Sequence, residues 1–245
     1  YLFGSINNRY SNRLVETQQS VVFVPTVYER YYFKDFSFSA GFSFHKDSLF
    51  NKNYQINVGL VYDFSANVNT DYYQRTERNT ASGGIDSLAL ANLYGTTTLP
   101  QSYGAGLSFS KGNSFTIGAD AQYLDYSQYK DFKGQNPTGQ GAWRLAIGSE
   151  FTPNLSSPGS YLKRMTYRTG VSLDQYPYLV NGNTLQDFGI NFGLSLPVSR
   201  YSSLDLGVKV GKRGDLELNK IEENYIKLYF GVTFNDQWFI KRKFD

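Results

Sequence analysis

Residues 186–212 read QDFGINFGLSLPVSRYSSLDLGVKVGK, and they alternate in character more regularly than any other part of the chain. Two runs of alternating character flank a short polar segment. The apolar side chains are Phe188, Ile190, Phe192, Leu194 and Leu196 in the first run and Leu204, Leu206, Val208 and Val210 in the second. The positions between them are Gly189, Asn191, Gly193 and Ser195, then Asp205, Gly207, Lys209 and Gly211. Because successive side chains of a strand point to opposite faces, the stretch predicts a hairpin with one apolar and one small or polar face.

The glycines of this hairpin argue against a soluble β-sandwich. Gly is scarce in ordinary strands because it weakens them, and here it alternates with the bulky apolar residues. A barrel wall, with lipid against the apolar face and a narrow or wet lumen behind the other, explains both features. The hairpin therefore predicts an all-β fold, an antiparallel transmembrane β-barrel.

Alternation of the same kind recurs along the chain. It is clear at residues 36–45, 54–65, 103–109, 115–123, 143–151, 167–173 and 226–234, and weaker at Gln18–Tyr28, which contains Pro25. These segments predict about ten strands of roughly 10 to 12 residues, near the length that crosses a bilayer when tilted. We expect residues 1–17 to be irregular and residues 18–245 to form the barrel. Aromatic residues at 17% of the chain agree with a strand-rich fold.

The connections between these strands fall into a short set and a long set. The short set is residues 47–53, 111–113 and 199–202, and the long set is residues 67–100, 130–140, 175–184 and 212–223. Outer-membrane barrels have short periplasmic turns and long external loops, so the two sets predict opposite ends of a barrel and a periplasmic C-terminus. Residues 152–164 do not fit, because they are long but fall on the short side. Within residues 67–100 the segment Ser87–Tyr94 is compatible with a short helix.

The composition excludes several classes of function. The chain has no cysteine and one histidine, His45, which excludes a disulfide scaffold, thiolate chemistry and a Cys/His zinc site. A Ser–His hydrolase would have to use His45. The net charge is only +3 and the basic residues are scattered among acidic ones, so the sequence shows no basic patch for nucleic acid. No apolar run approaches the roughly 20 residues of a membrane-spanning helix. We expect a protein that is not an enzyme and uses no cofactor or metal ion.

Two shorter signals are weaker. The chain opens on Tyr1 without an initiator Met and shows no signal peptide, so we expect a processed product or a fragment. Arg213-Gly214-Asp215 matches an adhesion tripeptide, but three residues in a charged loop are weak evidence for adhesion.

Charged residues gather on the face opposite the apolar one. They are Asp63, Asp120, Arg144, Glu150, Arg168, Asp174, Asp205, Lys209 and Lys227. A charge on the lipid face would cost roughly 2–4 kcal/mol at mid-membrane, so we expect these side chains to face the lumen. They would form either salt bridges that fill a narrow barrel or part of a transport path.

Aromatic residues near predicted strand ends suggest girdles at the two membrane interfaces. The candidates are Tyr123, Tyr126, Trp143, Tyr167, Tyr176 and Trp238. Rings with an apolar body and a polar tip favour the interface between lipid and water. Random placement in a Tyr-rich chain is the alternative explanation.

Several segments together resemble a known family. Leu99–Gly106, Phe115–Tyr123 with Asp125-Tyr126-Ser127, and Tyr167–Val171 are similar to the "LP.SY..G", "D..Y.DWS" and "YR.G" motifs of FadL/TodX outer-membrane transporters. Asn235–Asp245 looks like the end of Bacteroidetes members of that group. The match covers roughly residues 99–245. The resemblance implies a fourteen-stranded barrel with an N-terminal hatch, which is not recognisable here, so either the chain is cut or the barrel is smaller.

The resemblance implies passive uptake of a hydrophobic small molecule, such as a long-chain fatty acid or an aromatic hydrocarbon, across the outer membrane of a Gram-negative bacterium. Its partners would be membrane lipids and the hydrophobic ligand, with no nucleic acid. The alternative is a structural or accessory barrel in a secretion or surface-assembly complex, which associates with other outer-membrane proteins and transports nothing. A lumen sealed by bridges among Arg144, Arg168, Asp120 and Glu150 would favour this alternative. An apolar cavity would favour uptake.

Overall fold

The computed structural model describes residues 1–11, 24–48, 53–79, 85–136, 140–199 and 202–234. These ranges are almost wholly strand, and the strands form antiparallel sheets, which confirms the all-β prediction. The strands are β1 (Leu2–Ser11), β2 (Val24–Asp35), β3 (Ser39–Asp47), β4 (Tyr54–Asp63), β5 (Ala66–Asn79), β6 (Ile85–Leu99), β7 (Gln101–Lys111), β8 (Phe115–Asp125), β9 (Ala142–Phe151), β10 (Thr166–Val180), β11 (Asn183–Pro197), β12 (Ser203–Asp215) and β13 (Ile221–Thr233).

Helix is confined to two short pieces in the part of the chain that the structure describes. One is a 3₁₀ turn at Tyr126–Gln128, and the other is the single-turn helix α1 (Tyr161–Arg164). No helix in these ranges is long and apolar enough to cross a membrane.

The larger sheet has nine strands in the order β13-β12-β11-β10-β9-β8-β7-β4-β3. From β8 to β13 each strand pairs with the next one along the chain, whereas β7 lies beside β4, with β5 and β6 between them in sequence. Over the described residues, β3 and β13 each have one hydrogen-bonded neighbour, so these nine strands do not close on themselves.

The hairpin predicted at residues 186–212 is present as β11 and β12. Phe192 lies opposite Val208, and Gly193 lies opposite Gly207. The expected turn between them includes a hydrogen bond from the Ser199 N–H to the Ser202 carbonyl oxygen. The alternation therefore predicted both the strands and the pairing of their faces.

The apolar face of the nine-stranded sheet is exposed. On β13, Ile226, Leu228 and Phe230 are 70%, 77% and 71% exposed, and Phe192 and Val208 on the hairpin are exposed as well. A contiguous apolar surface of this kind requires apolar surroundings, and a lipid bilayer provides them for barrel strands.

The smaller sheet has four strands in the order β1-β2-β5-β6. This sheet corrects three expectations. Residues 67–100 are not a loop but contain β5 and β6, and Ser87–Tyr94 lies in a strand and not in a helix. Leu2–Ser11 is β1 and is not irregular. The prediction failed because neither face of this sheet is uniformly apolar, so alternation is weak. Tyr and Thr, which favour strands, supply the β-propensity instead.

One face of the four-stranded sheet is covered by the segment after β8. Thr98 and Lys130 exchange two backbone hydrogen bonds of 2.8 and 3.3 Å, which hold this segment against β6. The Phe132 ring stacks on Tyr72 with centroids 4.5 Å apart, and Tyr72, Val68 and Thr70 are buried. The pKa of Tyr72 is raised because burial disfavours the phenolate, and because its hydroxyl donates to Glu29 at 2.8 Å.

The strand count and the loop lengths also differ from expectation. The structure has thirteen strands in its described ranges where about ten were expected, because β1, β5 and β6 lie in segments whose alternation is weak. The expected loops at 175–184 and 212–223 are mostly strand, since β10 extends to Val180 and β12 to Asp215. These strands continue beyond their apolar residues. The weak strand expected at Gln18–Tyr28 lies partly in residues 12–23, outside the described ranges.

The chain divides into two compact units. The first comprises Tyr1–Ser39, Asp63–Gln101 and Asp125–Gly139, and contains the four-stranded sheet. The second comprises Ala40–Tyr62, Ser102–Leu124 and Gln140–Asp245, and contains the nine-stranded sheet.

Candidate functional site

The polar face of the nine-stranded sheet carries a charged cluster centred on Asp187. This carboxylate on β11 is only 1% exposed. It accepts hydrogen bonds from Arg213 Nε at 2.9 Å, from the Tyr225 hydroxyl at 2.6 Å and from Lys209 Nζ at 3.4 Å. Two cations and a hydroxyl therefore satisfy a buried carboxylate, the arrangement that makes burial of such a group tolerable.

The Asp187 cluster extends sideways onto β10 and β9. Lys209 Nζ lies 3.9 Å from Asp174, and Asp174 accepts a hydrogen bond of 2.5 Å from Arg144 Nε. The Arg213 guanidinium also lies 5.3 Å from the centre of the Tyr176 ring and 5.6 Å from that of Tyr225. Charged side chains of four neighbouring strands, β9 to β12, and the Tyr225 hydroxyl of β13 are thus joined through direct contacts.

Glycine makes room for this cluster. A Cβ atom at Gly189 would collide with the Lys209 side chain. A Cβ atom at Gly211 would collide with the Tyr225 hydroxyl and lie 2.9 Å from the Phe188 carbonyl oxygen. The glycines that alternate with apolar residues in the sequence are therefore explained by crowding from long polar side chains on the same face.

A second cluster is centred on Arg168 of β10. Its guanidinium donates to Glu150 at 2.7 Å and to Ser195 at 2.5 Å, and it lies 3.5 Å from Asp205. Asp205 also accepts hydrogen bonds from Ser195, and from Ser203 and Thr233 at 3.4 and 3.3 Å. This cluster ties β9 to β13 in the same way as the first.

The predicted polar-face residues are distributed as follows. Arg144, Asp174 and Lys209 join the Asp187 cluster, Glu150, Arg168 and Asp205 form the second one, and Lys227 stacks on Tyr225 at 4.6 Å. Asp120 lies against Gly106 on β7, and Asp63 belongs to the other unit, where it accepts a hydrogen bond of 2.6 Å from Ser39. That this face lines a lumen stays a prediction.

Sequence reasoning missed three members of the Asp187 cluster: Asp187, Arg213 and Tyr225. Arg213 lies in the predicted charged loop 212–223, and the alternation of apolar residues ends before it on β12 and starts after Asp187 on β11. One signal in the sequence could have found two of them. Asp187 and Arg213 are odd-numbered, like Gly189 and Gly211, and therefore lie on the same face of the strands as these glycines. The register confirms that Asp187 and Arg213 are direct partners across the two strands.

The aromatic candidates do not form one set. Tyr123 and Trp143 are direct partners on β8 and β9, and the Tyr167 hydroxyl donates to the Leu162 carbonyl oxygen at 3.1 Å. Tyr126 instead begins the 3₁₀ turn, and Tyr176 packs against Arg213 of the charged cluster. Trp238 lies outside the described residues.

Among the described residues, His45 contacts an amide and a carboxylate and forms no hydrogen bond with a serine hydroxyl. His45 Nδ1 contacts the amide oxygen of Asn57, and His45 Nε2 lies 2.9 Å from Asp47. The Asn57 amide in turn donates to Ser108 at 3.1 Å, so an amide that cannot accept a proton stands between Ser108 and His45. In the described part of the chain, no group of three His, Cys, Asp or Glu residues is arranged to hold a metal ion.

The Arg213-Gly214-Asp215 tripeptide is not presented as an adhesion ligand. Arg213 binds Asp187, and Asp215 accepts backbone hydrogen bonds from Glu217 and Leu218 at 2.7 and 3.2 Å. Both side chains serve the fold of β12 and the turn that follows it.

The larger grooves lie on the apolar face and not on the charged one. Two grooves of about 700 and 870 Å³ are lined mainly by apolar side chains such as Leu60 and Leu145 in one, and Phe192 and Phe230 in the other. Depressions of the polar face near Glu150 and near Asp120 measure about 400 and 260 Å³.

A strand wall with an exposed apolar face and a face of paired charges is typical of outer-membrane β-barrel proteins. The family model BamG matches residues 1–245, so this chain belongs to the BamG family. No curated protein matches it.

This family membership overturns the resemblance to FadL/TodX transporters. The segments behind that resemblance are set by local geometry. Gly106 lets Asp120 approach β7, and Asp125 of the Asp-Tyr-Ser motif accepts the Ser127 N–H at 3.0 Å to begin the 3₁₀ turn. Such features recur wherever strands and turns of this kind meet, so they do not identify a family.

Proposed function

We propose that the chain is an accessory component of an outer-membrane protein assembly complex in a Gram-negative bacterium, and that it conducts no ligand. The observation that carries this proposal is the match of the BamG family model to residues 1–245. The family name suggests association with other outer-membrane assembly proteins.

The charged face supports an architectural role. Arg144, Arg168 and Lys209 are each committed to carboxylates, and Asp187 is almost fully buried beneath its partners. Side chains held in this way stabilise a wall by linking its strands, whereas a path for a hydrophobic ligand needs an apolar surface on that face. The bridges differ in detail from the expected ones, since Arg144 pairs with Asp174 and Asp120 is not part of either cluster.

The apolar face supports insertion in the membrane. Its large side chains project from consecutive strands of the nine-stranded sheet and are exposed, as lipid-facing residues of outer-membrane barrels are. Lipids are accordingly the proposed surroundings of this face, and outer-membrane assembly proteins are the proposed partners.

The experiment uses the full-length protein with an affinity tag in its own bacterium. Membranes are solubilised in mild detergent, and co-purifying proteins are quantified against an unrelated outer-membrane barrel of equal abundance. We expect enrichment of outer-membrane assembly proteins, and a fall in folded outer-membrane proteins after depletion of the chain. Equal recovery with both baits, together with unchanged folding after depletion, would overturn the proposal.

A further inference from the structure

The four-stranded sheet has an open face opposite the one that Phe132 covers. On this face Arg9 of β1 lies opposite Tyr28 of β2, and Tyr28 lies opposite Arg75 of β5. In the neighbouring row Arg30 lies opposite Tyr73. Directly opposed residues share a face, so these five side chains form one surface, here called the arginine–tyrosine face.

Two of the three arginines on this face have no carboxylate partner. The Arg9 guanidinium stands over the Tyr28 ring at 5.3 Å, and Arg30 Nε donates to the Asn7 side-chain oxygen at 2.7 Å. Over the described ranges, no ion pair joins either Arg9 or Arg30 to a carboxylate. Arg75, by contrast, is paired with Glu77.

The uncompensated charge therefore belongs to Arg9 and Arg30. A second pair on the same face, Lys34 with Asp71 at 3.5 Å, is internally neutral. Among the described residues, the face thus presents two guanidinium groups without a carboxylate partner, and the planar arrangement of their N–H groups matches the geometry of a carboxylate.

The composition around these arginines is that of a protein interface. Tyr32, Tyr73 and Tyr94 are all exposed. Tyr and Arg are enriched at the energetic centres of interfaces. Tyr adds a large contact area there while losing few degrees of freedom. The face is also rigid, since its backbone belongs to a four-stranded ladder and the opposite side is fixed by Phe132 stacking on Tyr72.

We propose that the arginine–tyrosine face is a docking surface for a protein partner that presents clustered carboxylates. This inference rests on the proposed function and deepens it, because it gives the partner's chemistry and the surface of this chain that meets it. Arg9 and Arg30 take the carboxylates of the partner, and Tyr73 packs between them and the acidic surface. Arg75 keeps its own carboxylate, Glu77, and orients Tyr28, whose ring lies 5.7 Å from its guanidinium.

The direct test measures binding of an octaglutamate peptide to the full-length protein in detergent, with octaglutamine as the uncharged probe. We expect R9A/R30A to weaken octaglutamate binding by about tenfold or more, and added salt to weaken it in the unaltered protein. K46A/K111A is the matched control, because it also removes two positive charges but lies on β3 and β7 of the nine-stranded sheet. It should bind octaglutamate as the unaltered protein does.

Three results would overturn the proposed surface: equal octaglutamate binding by R9A/R30A, equal binding of octaglutamine, or a preference for vesicles containing lipopolysaccharide over octaglutamate. The last would mean that the face recognises an anionic glycolipid. A circular dichroism spectrum checks that R9A/R30A is folded. R9K/R30K is a second variant, which keeps both positive charges but loses the paired N–H groups of the guanidinium. R9K/R30K should bind octaglutamate at an intermediate level.

Co-purification separates this proposal from the function on which it rests. If assembly proteins accompany the unaltered protein and K46A/K111A but not R9A/R30A, both proposals hold. If they accompany R9A/R30A equally, the surface is wrong while the proposed function stands. If they do not accompany the unaltered protein, and depletion leaves the folding of outer-membrane proteins unchanged, the proposed function fails whatever the peptide shows.

Discussion

Arg213 Nε lies 2.9 Å from the Oδ2 atom of Asp187, a carboxylate that is 1% exposed. These two residues are direct cross-strand partners at the ends of the hairpin that the sequence makes most evident. Their pairing joins β11 to β12 beyond the apolar part of both strands. It also anchors a network that reaches β9 through Asp174 and Arg144.

Asp187→Asn should therefore destabilise the protein strongly. The neutral side chain leaves Arg213 and Lys209 without their shared carboxylate, and breaking a buried ion pair typically costs about 3–5 kcal/mol. Urea unfolding of the full-length protein in detergent measures the change. Glu150→Gln is the matched control, because its pair with Arg168 is about half exposed and should contribute about 0–1 kcal/mol. Equal effects of the two substitutions would contradict the central position of Asp187.

Gly211→Ala should be destabilising although alanine is small. Its Cβ atom would meet the Tyr225 hydroxyl and the Phe188 carbonyl oxygen, and overpacking of this kind typically costs about 1–3 kcal/mol. Gly59→Ala is the control on β4, because nothing lies within 4 Å of its added Cβ atom. The two variants are compared by the urea midpoint. A midpoint for Gly211→Ala that is no lower than that of Gly59→Ala would show that the crowding is absent.

Gly95→Ala should release the segment that covers the four-stranded sheet. An added Cβ atom would lie 2.8 Å from the Phe132 carbonyl oxygen, so the segment must move away from β6. We expect faster tryptic cleavage after Lys130 and Lys133 in intact protein. Gly4→Ala on β1 has open space around its Cβ atom and should leave the cleavage rate unchanged. An unchanged rate in Gly95→Ala would mean that the segment is not held where the structure places it.

Asp215 should titrate below the ordinary range of an aspartate. Backbone N–H groups of Leu218 and Glu217 stabilise the carboxylate and lower its pKa. A lowered folded-state pKa gives stability that is fully present above the unfolded value, about 3.9, and is lost as the pH falls through the folded value. NMR resonances of the Glu217 and Leu218 amides should report a midpoint below the ordinary aspartate value of about 3.9. Asp215→Asn, which keeps the acceptor oxygen, should abolish the titration. A midpoint at or above the ordinary aspartate value would contradict the turn geometry.

The sequence predicted the parts of this fold that repeat a local period. Phe192 and Val208 lie on one face of adjacent strands because their neighbours alternate in size and polarity, and that pattern is complete within the hairpin. The same alternation places the odd-numbered residues Lys209 and Asp205 on the charged face. It did not predict Asp187 and Arg213, because they lie in parts of the strands beyond the apolar residues.

The four-stranded sheet could not be predicted in this way. Tyr72 is buried by Phe132, which comes from a distant segment, so its burial leaves no period in the local sequence. The short motifs could not identify the family either. Asp125 and Gly106 look diagnostic in a short comparison, but each satisfies a local turn or packing requirement.

The strand order has a consequence for how the chain folds. From β8 to β13 every pairing is between strands adjacent in sequence, so each requires closure of one connection with no strand inside it. The pairing of β7 with β4 must wait until β5 and β6 have been looped out, which costs more chain entropy. We therefore expect strands β8 to β13 to pair early and to provide the edge on which the remaining strands assemble. The pairing of β4 with β7 should be the slow step of folding.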